Sequence, residues 1–511
     1  MCYLVGIDIG STNLKAVIYE LGGKAVAQAS RPTQLFHPYP DHPDWAVWQP
    51  EQIWDGVCQA TRQAVGQLDD PGKIRGVAVT GMGMDGVPVD AAGQTLYPFI
   101  SWHCPRTEPQ QRWWLEHIGP QRQFRIGGNQ IWVFNTALRL LWMRQHEPEI
   151  LNRTHKWLLI EDFVNFRLCG RYATDYSMAS TTLLFDQRRR CWSEELLAAS
   201  GIDRRLLCDP LPAGTRLGEV HPEAASATGL PQGTPVVLGG HDYCCGMLPT
   251  GAFRPGVVLD VIGTWEMVVT ALSEPVLSEE LLRAGMLVDS HVARDMWTVM
   301  GAAVAADMLE WFRRELGAEE RLRAEQHGGN EWDCLMQSAA ASPPGACGVM
   351  FLPHFSGSHC PVVDHRSTGA WVGLRNVVTR GDMLRAMIEG LDYQFLAILQ
   401  AMESAVGLEA ERVVAIGGPT RNSFWMQNKA DVLGRPIEVP DLEEAVPLGA
   451  AILAGIGVGL YRDEADALEH VWRPGRTYHP DPQLTARYRN WFEIYQQLYP
   501  ALRQISTQLR Q

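Results

Sequence analysis

The chain has 511 residues, more than the roughly 250 to 300 at which one hydrophobic core stops growing, so at least two domains are expected, which leaves room for a cleft. Hydrophobic residues at 46% and charged residues at 20% exclude a disordered or fibrous chain. A net charge of -14 argues against nucleic acid or an acidic membrane as partner and leaves a small molecule, anionic ones included, because backbone N–H groups hold phosphate even inside acidic proteins.

Residues 1–10 run straight into a strand-like segment without the basic stretch and cleavage site of a signal peptide. No apolar run approaches about 18 residues, so no membrane span is expected. The eleven cysteines are scattered and never spaced C-x-x-C, which reads as reduced thiols in a cytoplasmic protein.

Residues 3–19 predict a β-hairpin with a donor-rich turn at 10–13. Helices are expected over 51–68 and 109–117, and strands over 76–80 and 235–238. A Gly/Pro-containing connector over 250–255 places a domain boundary near residue 250, giving domains 1–250 and 251–511. Residues 257–261, a turn at 262–264 and residues 267–270 repeat the hairpin design, which suggests an internal duplication. Beyond it come a helix over 302–316, a loop-rich stretch over 342–367, a helix over 381–406 and a helical tail from Leu484. Strands interleaved with helices indicate α/β layering.

In the first hairpin an acidic residue ends a strand before a small turn. Gly10 allows close backbone approach, Ser11, Thr12 and Asn13 offer donors, and Asp8 can hold Mg²⁺ through water. An ordinary polar hairpin turn reads the same way, but the second turn, with Gly263 and Thr264, favours two loops facing one phosphate chain. Asp242 follows a strand and Gly239-Gly240. A carboxylate there suits either a general base for an attacking hydroxyl or a helix N-cap. Gly417 to Asn422 form another Gly-rich strand-to-helix turn, either a platform for adenosine or a plain connection.

Gly81-Met82-Gly83-Met84-Asp85-Gly86 satisfies G-x-G-x-x-G, yet the residues after it read as strand, whereas a dinucleotide fingerprint requires a helix. Asp85 remains a candidate for sugar hydroxyls. Trp102 offers an apolar plate for a sugar face and Arg106 a donor fork, although a core Trp and a surface Arg fit equally well. His103 and Cys104 have no partners at metal spacing. Cys244-Cys245 reads as small buried thiols.

Two long gapped patterns then carry a resemblance. Residues 134–146, from Phe134-Asn135-Thr136 through Trp142-Met143-Arg144 to His146, fit the first signature of the FGGY carbohydrate kinases, with Arg139 where Lys is usual. Gly369-Ala370-Trp371-Val372-Gly373-Leu374, followed by Asp382-Met383 and Ala386-Met387-Ile388-Glu389, fits the second. The resemblance covers nearly the whole chain. It implies two actin-like, ribonuclease H-like domains with a catalytic cleft between them, and ATP and Mg²⁺ as cofactors. By it Gly10 to Asn13, Lys15, Gly263 and Thr264 bind the ATP phosphates, Gly417, Gly418, Arg421 and Asn422 the adenosine, and Asp85, Trp102, Arg106 and Asp242 the sugar. Asp242 becomes the base, and Asp8 with Asp242 the Mg²⁺ site. Residues 100–107 and 263–266 look most like L-fuculose kinases. Cys104 stands where many xylulose and glycerol kinases have an Asp, while Tyr243-Cys244-Cys245 and Glu161-Asp162 depart from a typical fuculose kinase. The expected acceptor is a ketose, L-fuculose first and another ketopentose or polyol second, with homodimerisation an open option. An actin-like nucleotide switch without sugar chemistry is the competing class, disfavoured by the candidate sugar contacts.

Overall fold

The computed structural model describes residues 2–510. Two sheets organise it. β1 (Tyr3–Ile9), β2 (Asn13–Glu20), β3 (Ala25–Pro32), β4 (Ile74–Gly81), β5 (Arg216–Glu219) and β6 (Pro235–His241) form the first, in spatial order β5-β6-β4-β1-β2-β3. β7 (Val257–Ile262), β8 (Trp265–Leu272), β9 (Leu287–Ser290), β10 (Trp297–Val304), β11 (Arg412–Ile416), β12 (Ile437–Val439) and β13 (Arg476–Tyr478) form the second, in order β9-β10-β8-β7-β11-β12-β13.

The duplication expected from the hairpins is a duplication of topology. Each hairpin, β1–β2 or β7–β8, has a parallel neighbour beside its first strand, β4 or β11, and an antiparallel one beside its second, β3 or β10. Parallel neighbours need long crossovers, and these carry the helices.

Six helices position the site: α1 (Pro50–Val65), α2 (Ile160–Cys169), α3 (Asp242–Met247), α4 (Arg380–Val406), α5 (Ser423–Leu433) and α6 (Ala445–Gly457). Side chains alternate across β1. Val5, Ile7 and Ile9 enter a core shared with Ile53, Trp54 and Val57 of α1, whereas Leu4 belongs to a different core with Leu448, Ile452 and Leu453 of α6. That second core also holds Val17 of the first sheet and Leu259, Val269 and Val414 of the second. Burying each such aliphatic side chain contributes about 1.5–3 kcal/mol. α6 thus comes from the second half of the chain and packs against the first sheet. The contact is close: a Cβ on Gly6 would lie 1.9 Å from Pro447 O, and one on Gly449 would lie 1.9 Å from Cys245 O.

Two sequence expectations shift. The helix expected over 302–316 spans Ala306–Leu316, because Trp297–Val304 is held as a strand along the full length of β8. The tail is two helices, Pro482–Tyr495 and Leu498–Leu509, the first capped by Asp481, which accepts the Gln483 N–H at 2.8 Å.

Candidate active site

Asp242 is the first residue of α3, directly after β6, and its side chain is 35% exposed. Its Oδ1 accepts the Tyr243 N–H at 2.6 Å and lies 2.8 Å from His241 Nδ1. Both contacts fall on one oxygen, Oδ1. The N-cap position belongs to His241, not Asp242. Burial disfavours the imidazolium at His241, but Asp242, Asp289 and Asp175 together outweigh it and raise its pKa. Sequence reading passed over His241, although a His beside a candidate base is a visible signal.

Across from Asp242, Asp8 lies near the end of β1. Burial, followed by repulsion from Asp242, pushes its carboxyl up to about 8 against the pull of Lys15. Two carboxylates that repel each other in this way suit a cation. Among the described residues no group of three or more metal-ligating side chains assembles; one or two carboxylates are the protein donors with which a Mg²⁺ that keeps several waters is usually held. The turn between β1 and β2 is tight, with Gly10 N–H donating to Asn13 O at 3.1 Å and Thr33 Oγ1 donating to Gly10 O at 2.6 Å. Thr12 and Asn13 are exposed at its tip and Ser11 is half-buried. Lys15, opposite Asp8 in the hairpin register, places its Nζ 2.9 and 2.8 Å from the two oxygens of Glu444. Glu444 precedes α6 and has no local sequence signal that ties it to residue 15.

The second hairpin turn is anchored to the helix that follows β10. Gly263 O accepts the Ala306 N–H at 3.2 Å and Thr264 O accepts the Ala305 N–H at 2.9 Å. Beside it opens a cavity of about 830 Å³, within the range of small-ligand sites. Thr264, Gly418, Arg421 and Asn422, all expected at the nucleotide, line it, together with Asn330, Trp332, Asp333 and Phe424, which the sequence did not single out. Asn422 also caps α5, its Oδ1 accepting the Trp425 N–H at 3.0 Å. Gly417 answers a different need from the expected flat platform. Its φ is +111°, and a Cβ there would lie 2.2 Å from Ile262 O, so glycine lets this loop close on the end of β7.

The sugar side departs furthest from expectation. Trp102 is half-buried and stacks on His103 with centroids 3.8 Å apart. Asp85 is fully buried: it pairs with Arg139 at 2.7 Å and accepts the Trp48 Nε1–H at 2.6 Å and the Trp102 N–H at 3.2 Å. It holds the segment carrying Trp102 and does not reach solvent. Arg106 is 4% exposed, and its guanidinium lies 4.8, 4.4 and 5.0 Å from the rings of Tyr39, Trp45 and Trp142. Its Nε donates to Cys104 Sγ at 3.0 Å. The donor fork expected to meet sugar oxygens is enclosed by aromatic faces, which attract a cation electrostatically. As expected, the G-x-G-x-x-G stretch is followed by a strand, Gly86–Val89, and opens no helix.

Residues 3–249 match the N-terminal domain of the FGGY family of carbohydrate kinases, and residues 259–458 match its C-terminal domain. The chain belongs to this family and is an ATP-dependent sugar phosphotransferase. It is 32% identical to the L-fuculokinase of Escherichia coli (strain K12) over 477 residues, covering 93% of this chain and 97% of that one. It is 28% identical to the xylulose kinase of Bacillus subtilis (strain 168) over 517 residues, covering 100% and 99%. Among solved structures, the xylulose kinase from Rhodospirillum rubrum superposes with a TM-score of 0.89 at 28% identity, over 99% of each chain. No helix among the described residues is long and apolar enough to cross a membrane.

Proposed function

We propose that the protein phosphorylates a ketose, L-fuculose first among the candidates, with Asp242 as general base. The observation that carries the base assignment is the arrangement at the start of α3, where His241 and the Tyr243 amide hold Oδ1 and leave Oδ2 to take the proton of the attacking hydroxyl. As the hydroxyl oxygen bonds to the γ-phosphorus, the bond to the ADP oxygen breaks and the hydroxyl proton passes to Asp242. The Thr264–Arg421–Asn422 cavity receives the adenosine, and the turns at Gly10–Asn13 and Gly263–Thr264 address the phosphates with N–H and hydroxyl donors. Asp8 and Asp242 would hold Mg²⁺ through water, which supplies charge neutralisation at the transferred phosphoryl group. Trp102, half-buried and held by Asp85 through its N–H, offers its face to the sugar, while Arg106 stays enclosed among Tyr39, Trp45 and Trp142.

L-Fuculose is supported by the fuculokinase relative and by Cys104, which stands where many xylulose and glycerol kinases carry an Asp. A panel of ketoses and polyols with ATP and Mg²⁺ tests it: the highest kcat/KM is expected with L-fuculose, and a higher value with xylulose overturns that choice. Asp242→Asn should lower turnover by about 10²- to 10⁴-fold with ATP binding kept, the range of a positioned general base. Unchanged turnover removes Asp242 from that role.

A further inference from the structure

Side chains from three elements grip the backbone just ahead of Asp242, where the β6 ladder slips. The parallel register with β4 pairs Val236, Val237 and Leu238 with Val77, Ala78 and Val79, then jumps to Gly240 opposite Thr80, leaving Gly239 as a bulge. A bulge strips ladder partners and re-aims the chain that follows. Here side chains supply the partners. Glu161 Oε1, on α2, accepts the Gly239 N–H at 3.0 Å. Thr80 Oγ1 donates to Gly240 O at 2.7 Å. Ser177 Oγ accepts the His241 N–H at 2.8 Å while its own hydroxyl donates to the buried Asp175 at 2.8 Å. Larger residues cannot enter: a Cβ on Gly239 would lie 1.9 Å from Val79 O, and one on Gly240 would lie 2.4 Å from Val292 Cγ1.

Among the described residues no cation pairs with Glu161; it is fully buried, its Oε2 has no partner, and its Oε1 also accepts from Asn165 Nδ2 at 3.1 Å. Burial first, then repulsion from Asp175 and Asp162, raises its pKa well above the ordinary value, and only one of its oxygens, Oε1, accepts hydrogen bonds. A buried carboxyl with an orphan oxygen costs stability. An apolar residue would fill the space without that cost, but it could not accept the bulge amide.

We infer that Glu161 is a positioning residue for phosphoryl transfer: with Ser177 it fixes the bulge at Gly239 and so sets the direction of the Asp242 carboxylate. The inference rests on the reading of Asp242 as base. Glu161→Gln keeps an accepting oxygen and should retain kcat within about twofold. Glu161→Leu keeps the bulk, removes the acceptor, and should lower kcat by about 10- to 100-fold with the KM for ATP unchanged, the scale of effect expected from a small misplacement of a reacting group. Ser177→Ala, which removes the second grip, should lower kcat in the same direction and serves if the Leu variant does not fold. Full kcat in Glu161→Leu or, should that variant not fold, in Ser177→Ala, or equal damage from Gln and Leu, overturns the inference. The two readings fail separately. Normal turnover in Asp242→Asn defeats the base, whereas an inactive Asp242→Asn beside a fully active Glu161→Leu defeats only the positioning. In the Asp242→Asn background Glu161→Leu should have no further effect on residual turnover.

Discussion

The two hairpins share one topology and differ in what surrounds their charges. In the first, Lys15 and Glu444 are 31% and 30% exposed, and Asp8 faces Asp242 near the turn. In the second, Lys429 of α5 lies fully buried between Asp260 at 2.6 Å and Glu266, with its Nζ 4.4 Å from the Phe395 ring centroid. Asp392 of α4 completes this network, accepting from Trp425 Nε1 at 2.9 Å and Asn428 Nδ2 at 2.6 Å. Burial disfavours the Lys429 ammonium, but Asp260, Glu266 and Asp392 overcome it and raise its pKa. One hairpin keeps its charges partly exposed; its counterpart locks them into the joint between the second sheet and α5.

Lys429→Ala tests this difference most severely. It leaves carboxyls buried without their cation, and should cost about 3–5 kcal/mol in urea unfolding. A loss under about 1 kcal/mol would place the second hairpin's charges in the same class as the first's. Asp8→Asn should lower turnover by about 10- to 100-fold, or about 1.4–2.8 kcal/mol of barrier, without lowering the melting temperature, because the carboxyl it removes is one that burial and Asp242 already disfavour. A drop in melting temperature with full activity would make Asp8 structural.

Asp392 supplies a pH test. Burial pushes it from near 3.8 to about 7, so the folded state retains a proton that the unfolded chain releases. Its contribution is fully present below about pH 4 and is lost as the pH rises to about 7, at up to about 1.4 kcal/mol per pH unit. The stability deficit of Asp392→Asn should therefore be largest at pH 4 and shrink toward pH 7, and a deficit that grows over this range would reverse the assignment. Smallest of all, Lys15→Met should change stability by no more than about 1 kcal/mol, as for other exposed pairs, while raising the KM for ATP severalfold; an unchanged KM would remove Lys15 from phosphate binding.

The strands were legible because alternation and Gly-rich turns are local properties. Both hairpins, the start of α3 at Asp242 and the loop before α5 lie where residue order alone places them. The fate of a polar side chain depends on distant segments. Arg106 reads as a free donor until residues 39, 45 and 142 close over it, and Asp85 reads as a ligand until Arg139 and Trp48 reach it. Glu444 meets Lys15 across more than four hundred residues, a separation no local spacing encodes. Glu161 was visible as a departure from the family pattern, but its target, the Gly239 amide, was exposed only by the bulge.

The helix at Ala445–Gly457 also sets a schedule for synthesis. The face of the first sheet that carries Leu4 and Gly6 lacks its main cover until this late segment leaves the ribosome. The amino-terminal half must therefore wait, with an apolar surface open, through the making of nearly two hundred further residues. A chain broken off before residue 445 would emerge with every strand of its first sheet and no means of closing it.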